Sequence, residues 1–195
     1  MERVMATPPD RQRKTTEDML KEPEQRRLEL LEGVMVEKAA PDIPHSRAQT
    51  DLVTLVNAEY GMRRGGGSGG WWIFTELDVS LGRHDWVRPD VCGYRKDKHP
   101  SLPPARPVPI PPDWVCEVVS PGHERRDTVQ KLNLYHRSGV GHYWLVDPSA
   151  RTLTVLRHEA DGYKVALSAA DGDTVRAEPF EAVELEVGRL FADGS

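Results

Sequence analysis

Trp114-Val115-Cys116-Glu117-Val118-Val119 is an apolar, strand-length run with one carboxylate inside it. Ser120-Pro121-Gly122 then turns the chain, and a helix is predicted from Arg125 to Ser138, closed by Gly139 where a C-terminal glycine belongs. A second run, Trp86 to Tyr94, has Asp90 behind Pro89. An Asp or Glu in such a run is costly to desolvate unless it is paired, protonated or bound to a cation. Two of them on neighbouring strands suit a hard divalent metal, which prefers oxygen ligands. Strand alternation then puts Cys92 on the face of the two acids and Cys116 on the other, so both thiols should be unpaired.

Outward from this pair, strands are predicted at Trp71 to Val79, Tyr143 to Val146 and Thr152 to His158. Between His99 and Pro112 the chain is too rich in proline for a helix or a central strand, and reads as a long surface loop. Leu52, Val53, Leu55 and Val56 form an apolar stripe at helical spacing, with Ser46 as its expected cap. Gly65 to Gly70 is a connector and lacks the Lys-Ser/Thr of a phosphate loop. Further upstream, one helix is expected near Thr15 to Asp18, and a second helical turn at Arg27 to Leu31 stopping at Gly33. Val34-Met35-Val36 follows as a short strand, and the C-terminal third reads as short strands and turns. Segregated rather than alternating elements indicate an α+β class around a mixed sheet. Residues 1–16 are taken as a flexible arm and 17–195 as one domain.

Composition excludes several classes. Two cysteines outside any CxxC pair argue against a disulfide scaffold or zinc site. No apolar run approaches membrane-spanning length, and the N-terminus lacks a signal core, so a cytoplasmic protein with no membrane partner is expected. The net charge of −5 is uneven. Residues 159–195 hold nine acids against three basic residues, which leaves the rest near neutrality with basic clusters at 83–99 and around Arg125-Arg126, Lys131 and Arg137. Charge alone does not decide for or against DNA. Trp71, Trp72, Trp114 and Trp144 are read as core residues rather than base-stacking platforms.

An ordered set of fragments carries a resemblance: Leu28-Glu29-Leu30-Leu31-Glu32-Gly33, Pro41 with His45, Val87-Arg88-Pro89-Asp90-Val91, and Glu117-Val118-Val119-Ser120-Pro121. Arg126-Asp127, Lys131, Tyr135, Gly139-Val140 and Tyr143-Trp144-Leu145-Val146-Asp147-Pro148 continue it. Together they resemble the Uma family of restriction endonucleases, a branch of the PD-(D/E)XK nuclease superfamily, over roughly residues 26–191. The resemblance implies a restriction-endonuclease-like core, a mixed β-sheet flanked by helices. It also implies Mg²⁺-dependent hydrolysis of DNA phosphodiester bonds, with Mn²⁺ as a substitute and a homodimer as the working unit.

On that resemblance Asp90 and Glu117 are metal ligands and Glu29, near the end of the first core helix, completes the shell. The family's usual Lys two residues past the second acid is replaced by Val119. Lys131 is the candidate to take its place, because Asp127, Lys131 and Tyr135 recur at i, i+4 and i+8 and share one helical face. Lys131→Ala is then expected to abolish cleavage and leave the fold intact, while Asp90→Ala also loses metal binding. Asp127, Tyr135 and His45 are accessory candidates, His45 to orient a phosphate or water. Blander readings stand beside each: an edge-strand Asp90, a Glu117 paired with Arg88, an ordinary Asp127–Lys131 surface pair, a His45 that merely opens a helix. The alternative function is a nucleic-acid- or partner-binding module that keeps the fold without useful catalysis, which the Val119 substitution motivates.

Overall fold

The computed structural model describes residues 13–61, 70–122 and 124–191. Of the expected arm, residues 1–12 lie outside this set, as does most of the glycine connector, at 62–69. Lys14 and Thr16 are held by backbone hydrogen bonds to Gly33 and Arg83. The short helix α1 (Thr16–Met19) starts at Thr15, whose side chain accepts the Asp18 N–H while the Asp18 carboxylate accepts the Thr15 N–H.

The helical turn expected at 27–31 is a strand. β1 (Leu28–Leu31) and β2 (Val34–Glu37) form a hairpin with Leu31 opposite Val34. Glu32 and Gly33 occupy the turn at φ +54° and +82°. Two left-handed central residues match the turn to the strand twist, so Gly33 closes a hairpin and does not stop a helix. α2 (Ile43–Val56) starts four residues earlier than expected, because Asp42 rather than Ser46 caps it and accepts the His45 N–H at 2.9 Å.

Both long strands expected in the centre are broken. The first divides into β3 (Trp71–Thr75) and β4 (Val79–Gly82), with Glu76 between them at φ +53°. The second divides into β5 (Asp85–Val87) and β6 (Val91–Arg95) at Arg88-Pro89-Asp90. Each break carries the chain between two sheets, one ordered β2-β1-β5-β4, the other containing β6 next to β3. Glu76 and Asp90 therefore sit where the sheets meet.

β7 (Trp114–Val118) lies beside β6 in the second sheet. The helix after it opens with the wide turns of a π-helix at Arg126–Lys131 and continues as α3 (Leu132–Arg137). It returns the chain to β8 (His142–Asp147), which runs parallel to β7. β9 (Thr152–Glu159) and β10 (Gly162–Ala170) complete a six-stranded sheet in the order β10-β9-β8-β7-β6-β3. The nine-residue β10 was not expected: its weak alternation and a register shift at Val165/Leu167 hide it in the sequence. β11 (Thr174–Val175) and β12 (Leu185–Glu186) pair alone and lead into a 3₁₀ turn at Val187–Phe191.

One face of the six-stranded sheet packs Val91, Trp114, Cys116 and Trp144 against Leu52 and Val56 of α2 and Leu190 of the last turn. The other face gathers Cys92, Val115 and Tyr143 with Leu134 and Tyr135 of α3. The cysteines are free and on opposite faces, as the alternation requires. Trp114 and Trp144 are core residues. No helix among the described residues is long and apolar enough to cross a membrane.

Candidate active site

Pairing of Val91 with Cys116 at the end of the β6–β7 ladder brings Asp90 opposite Glu117, so both point from the same sheet face. They border one cleft together with Glu29, Asp127 and two lysines. Asp90 is fixed on every side. Its Oδ2 accepts the Val118 N–H at 2.7 Å, its Oδ1 accepts Lys38 Nζ at 2.6 Å, and its carbonyl accepts Gln49 Nε2 from α2 at 2.7 Å. His45 Nε2 stands 3.2 Å from the same Oδ1, within ion-pair range but out of line for a hydrogen bond.

Glu117 Oε1 accepts Lys131 Nζ at 2.9 Å and the Tyr135 hydroxyl at 2.6 Å. Lys131 is 1% exposed, and its ammonium also stands 2.9 Å from Glu29 Oε1 and 3.8 Å from Asp127 Oδ1. The π-helical stretch keeps Asp127, Lys131 and Tyr135 all inward, so the shared face read from the sequence exists despite the change of helix type. Glu29 reaches the cleft from β1, not from a helix end. Its Oε1 also accepts the Arg88 N–H at 2.9 Å, while its buried Oε2 has no partner.

Burial and charge act against each other here. At Asp90, burial raises the carboxyl pKa but Lys38 and His45 outweigh it, leaving the group far below the usual range. Glu29 is likewise lowered, since burial is outweighed by Lys131 and Lys38. Burial wins at Glu117, raised to about 8, and at Asp127, raised to about 6, although Lys131 opposes the rise at both. Glu29 and Glu117 share one ammonium yet shift in opposite senses. The cause is their surroundings: Glu29 has the Arg88 N–H as well, whereas Glu117 faces Asp90 and Asp127. Lys38 and Lys131 are both held charged, burial being outweighed by Asp90 at the first and by Glu117 at the second.

The structure thus brings together every site residue named from the sequence and adds three that were missed. Lys38, whose side chain is 8% exposed, is the counter-ion of Asp90. Glu76 accepts Lys38 Nζ at 3.1 Å, and Ser120 Oγ stands 3.1 Å from His45 Nδ1. Nothing local marks either acidic or basic newcomer: Lys38 meets Asp90 through the folding of the hairpin onto the second sheet, and Glu76 through the pairing of Thr75 with Val91 between β3 and β6. Ser120 was quoted only as part of a motif. The Arg88 proposed as a structural partner for Glu117 instead binds Asp78 at 2.9 Å. The basic clusters are largely consumed by acids: Lys131 is buried, Arg95 pairs with Asp97, and Arg137 with Glu32 and Asp85.

A crystal structure titled as a putative nuclease belonging to DUF820, from Anabaena variabilis ATCC 29413, superposes with a TM-score of 0.72 at 24% identity. The match covers 91% of this chain and 97% of that one, which establishes a shared fold. None of the curated proteins compared matches the chain. The family model described as Uma2, putative restriction endonuclease, matches residues 14–188, and the chain belongs to that family.

Proposed function

We propose that this protein is a divalent-metal-dependent endonuclease that hydrolyses DNA phosphodiester bonds in the cytoplasm, using Mg²⁺ with Mn²⁺ as a substitute, and acting as a homodimer. One observation carries the reading. Four buried carboxylates, Glu29, Asp90, Glu117 and Asp127, converge on a cleft whose buried ammonium groups among the described residues are Lys38 and Lys131. With all four ionised, the buried carboxylates exceed the two buried ammonium groups by two charges, and with the half-buried Arg126 guanidinium on the cleft lining an excess of acid still remains, which suits a divalent cation. The donors fit such an ion: they are hard oxygens, and Glu29 Oε2 is a buried acceptor with no partner.

Asp90 and Glu117 would hold the ion, and Glu29 would complete the shell or position a water. When bound, the ion supplies Lewis acidity and an acidified water. The Val118 N–H and Gln49 keep Asp90 from rotating, and Tyr135 orients Glu117. Lys131 holds a fixed positive charge against Glu117 and Glu29, in water-poor surroundings where it acts on developing phosphate charge more strongly than at a surface. His45, set between Ser120 and Asp90, is the accessory group for a phosphate oxygen or water. Plasmid nicking under Mg²⁺ and Mn²⁺ titration tests the proposal, with Asp90→Ala and Glu117→Gln as controls. Cleavage should need the ion and vanish in both variants. Binding to DNA with no cleavage under either ion would instead favour the inert module on the same fold.

A further inference from the structure

Beside the proposed metal position lies a second cluster of ligand atoms. One atom each from His45, Glu76 and Asp90 lie within 4.8 Å of one another, a spacing that fits ligands around one ion. His45 Nε2 is buried, aimed at Asp90 and without a hydrogen-bond partner. Its other nitrogen is engaged by Ser120, the arrangement a ligating histidine uses to fix its ring. The cluster nevertheless holds a cation already. Lys38 Nζ stands 2.6 Å from Asp90 Oδ1, 3.1 Å from Glu76 Oε1 and 2.6 Å from the Arg88 carbonyl. An ammonium has three N–H donors, and all three are used.

We propose that Lys38 is a built-in cation that replaces a second metal ion, making this a one-metal site with a latent second position of His45, Glu76, Asp90 and the Arg88 carbonyl. The tether explains why the lysine wins. Lys38 is anchored through its own N–H to the Arg27 carbonyl and delivers its charge without the loss of translational freedom that a free ion undergoes. Arg27 also pairs with Glu76 at 3.0 Å, so the far side of the cluster is closed by a second basic residue. Three of the four donors are hard oxygens, which suit Mn²⁺, and Mn²⁺, whose paramagnetism reports its own count, is therefore the probe.

The inference rests on the metal-dependent reading only for the count expected in the unaltered protein. Calorimetric titration of the full chain with Mn²⁺ should give one ion per chain, and Lys38→Ala two. In Lys38→Ala, electron paramagnetic resonance should show the broadening of two coupled Mn²⁺ ions. Lys38→Arg and the Lys38→Ala/Glu76→Gln double variant should each return to one. Two ions in the unaltered protein, or no ion gained by Lys38→Ala, would overturn the proposal. No ion in the unaltered protein with one in Lys38→Ala would sink the metal-dependent nuclease reading and leave this inference standing. Lys38→Gln is measured in parallel in case the alanine variant unfolds. Refolding of either by Mn²⁺ supports the replacement, and a variant that stays unfolded at saturating Mn²⁺ counts against it.

Discussion

Lys131 carries its ammonium between two buried carboxylates, 2.9 Å from Glu117 and 2.9 Å from Glu29. Its approach to Glu117 followed from helical spacing and from the missing lysine at Val119, and the contact is there at 2.9 Å. The surroundings did not follow, since Glu29 was assigned to a helix end and the burial of the lysine was invisible. That burial changes the expected mutant. Lys131→Ala removes the one cation in contact with both Glu29 and Glu117, in a site closed to water. Breaking a buried pair from one side costs about 3–5 kcal/mol, so the variant should lose cleavage and also melt well below the unaltered protein. Adding Glu117→Gln to Lys131→Ala should restore part of the melting temperature and none of the activity. Equal stability of Lys131→Ala and the parent would mean the lysine is not the central counter-charge.

At the scale of elements, the β1–β2 hairpin is the piece whose misreading mattered most, because it carries Glu29 on one strand and delivers Lys38 from the end of the other. Leu28-Glu29-Leu30-Leu31-Glu32-Gly33 satisfies a helical spacing and a strand alternation about equally, and Gly33 serves as a stop for one or a turn for the other. Trp114 to Val119 had no such ambiguity, being short, apolar throughout and bounded by turn residues. Elements bounded that way were legible; those whose ends depend on a distant partner were not. Gly33→Ala tests the hairpin. The new Cβ would enter at φ +82° and stand 2.6 Å from Arg13 Cβ, so strain adds to collision and the loss should be about 1–3 kcal/mol with reduced cleavage. Gly139→Ala has a similar φ of +76° but nothing within 4 Å of the added carbon. It should cost less and leave activity near normal. Equal losses by chemical denaturation would argue that the hairpin turn has no special constraint.

Across the whole molecule, the two sheets meet over a cluster with more acid than base, and this couples stability to pH and to divalent ions. Glu117 is raised to about 8 and Asp127 to about 6, from ordinary values of 4.5 and 3.8. Between the ordinary and the raised values the folded chain keeps protons that the unfolded chain releases. Stability conferred by those protons is complete only below the ordinary values of 4.5 and 3.8 and is lost progressively as pH rises through about 8. Asp90 and Glu29 are lowered instead, so their contribution disappears only in stronger acid, outside this window. In a chelating buffer the melting temperature should therefore fall between pH 6 and pH 8.5, and the fall should be smaller in Glu117→Gln, which has no proton to release. Saturating Mg²⁺ or Mn²⁺ should flatten the decline, because an ion replaces the protons and binds more tightly as they leave. Ion at a hundredfold excess over its dissociation constant adds about 2.7 kcal/mol, or roughly 5–10 °C for a chain of this size. A melting temperature that climbs with pH in chelator would show that the acids are already fully neutralised by Lys38 and Lys131. The cleft would then have no charge left for a divalent ion to answer.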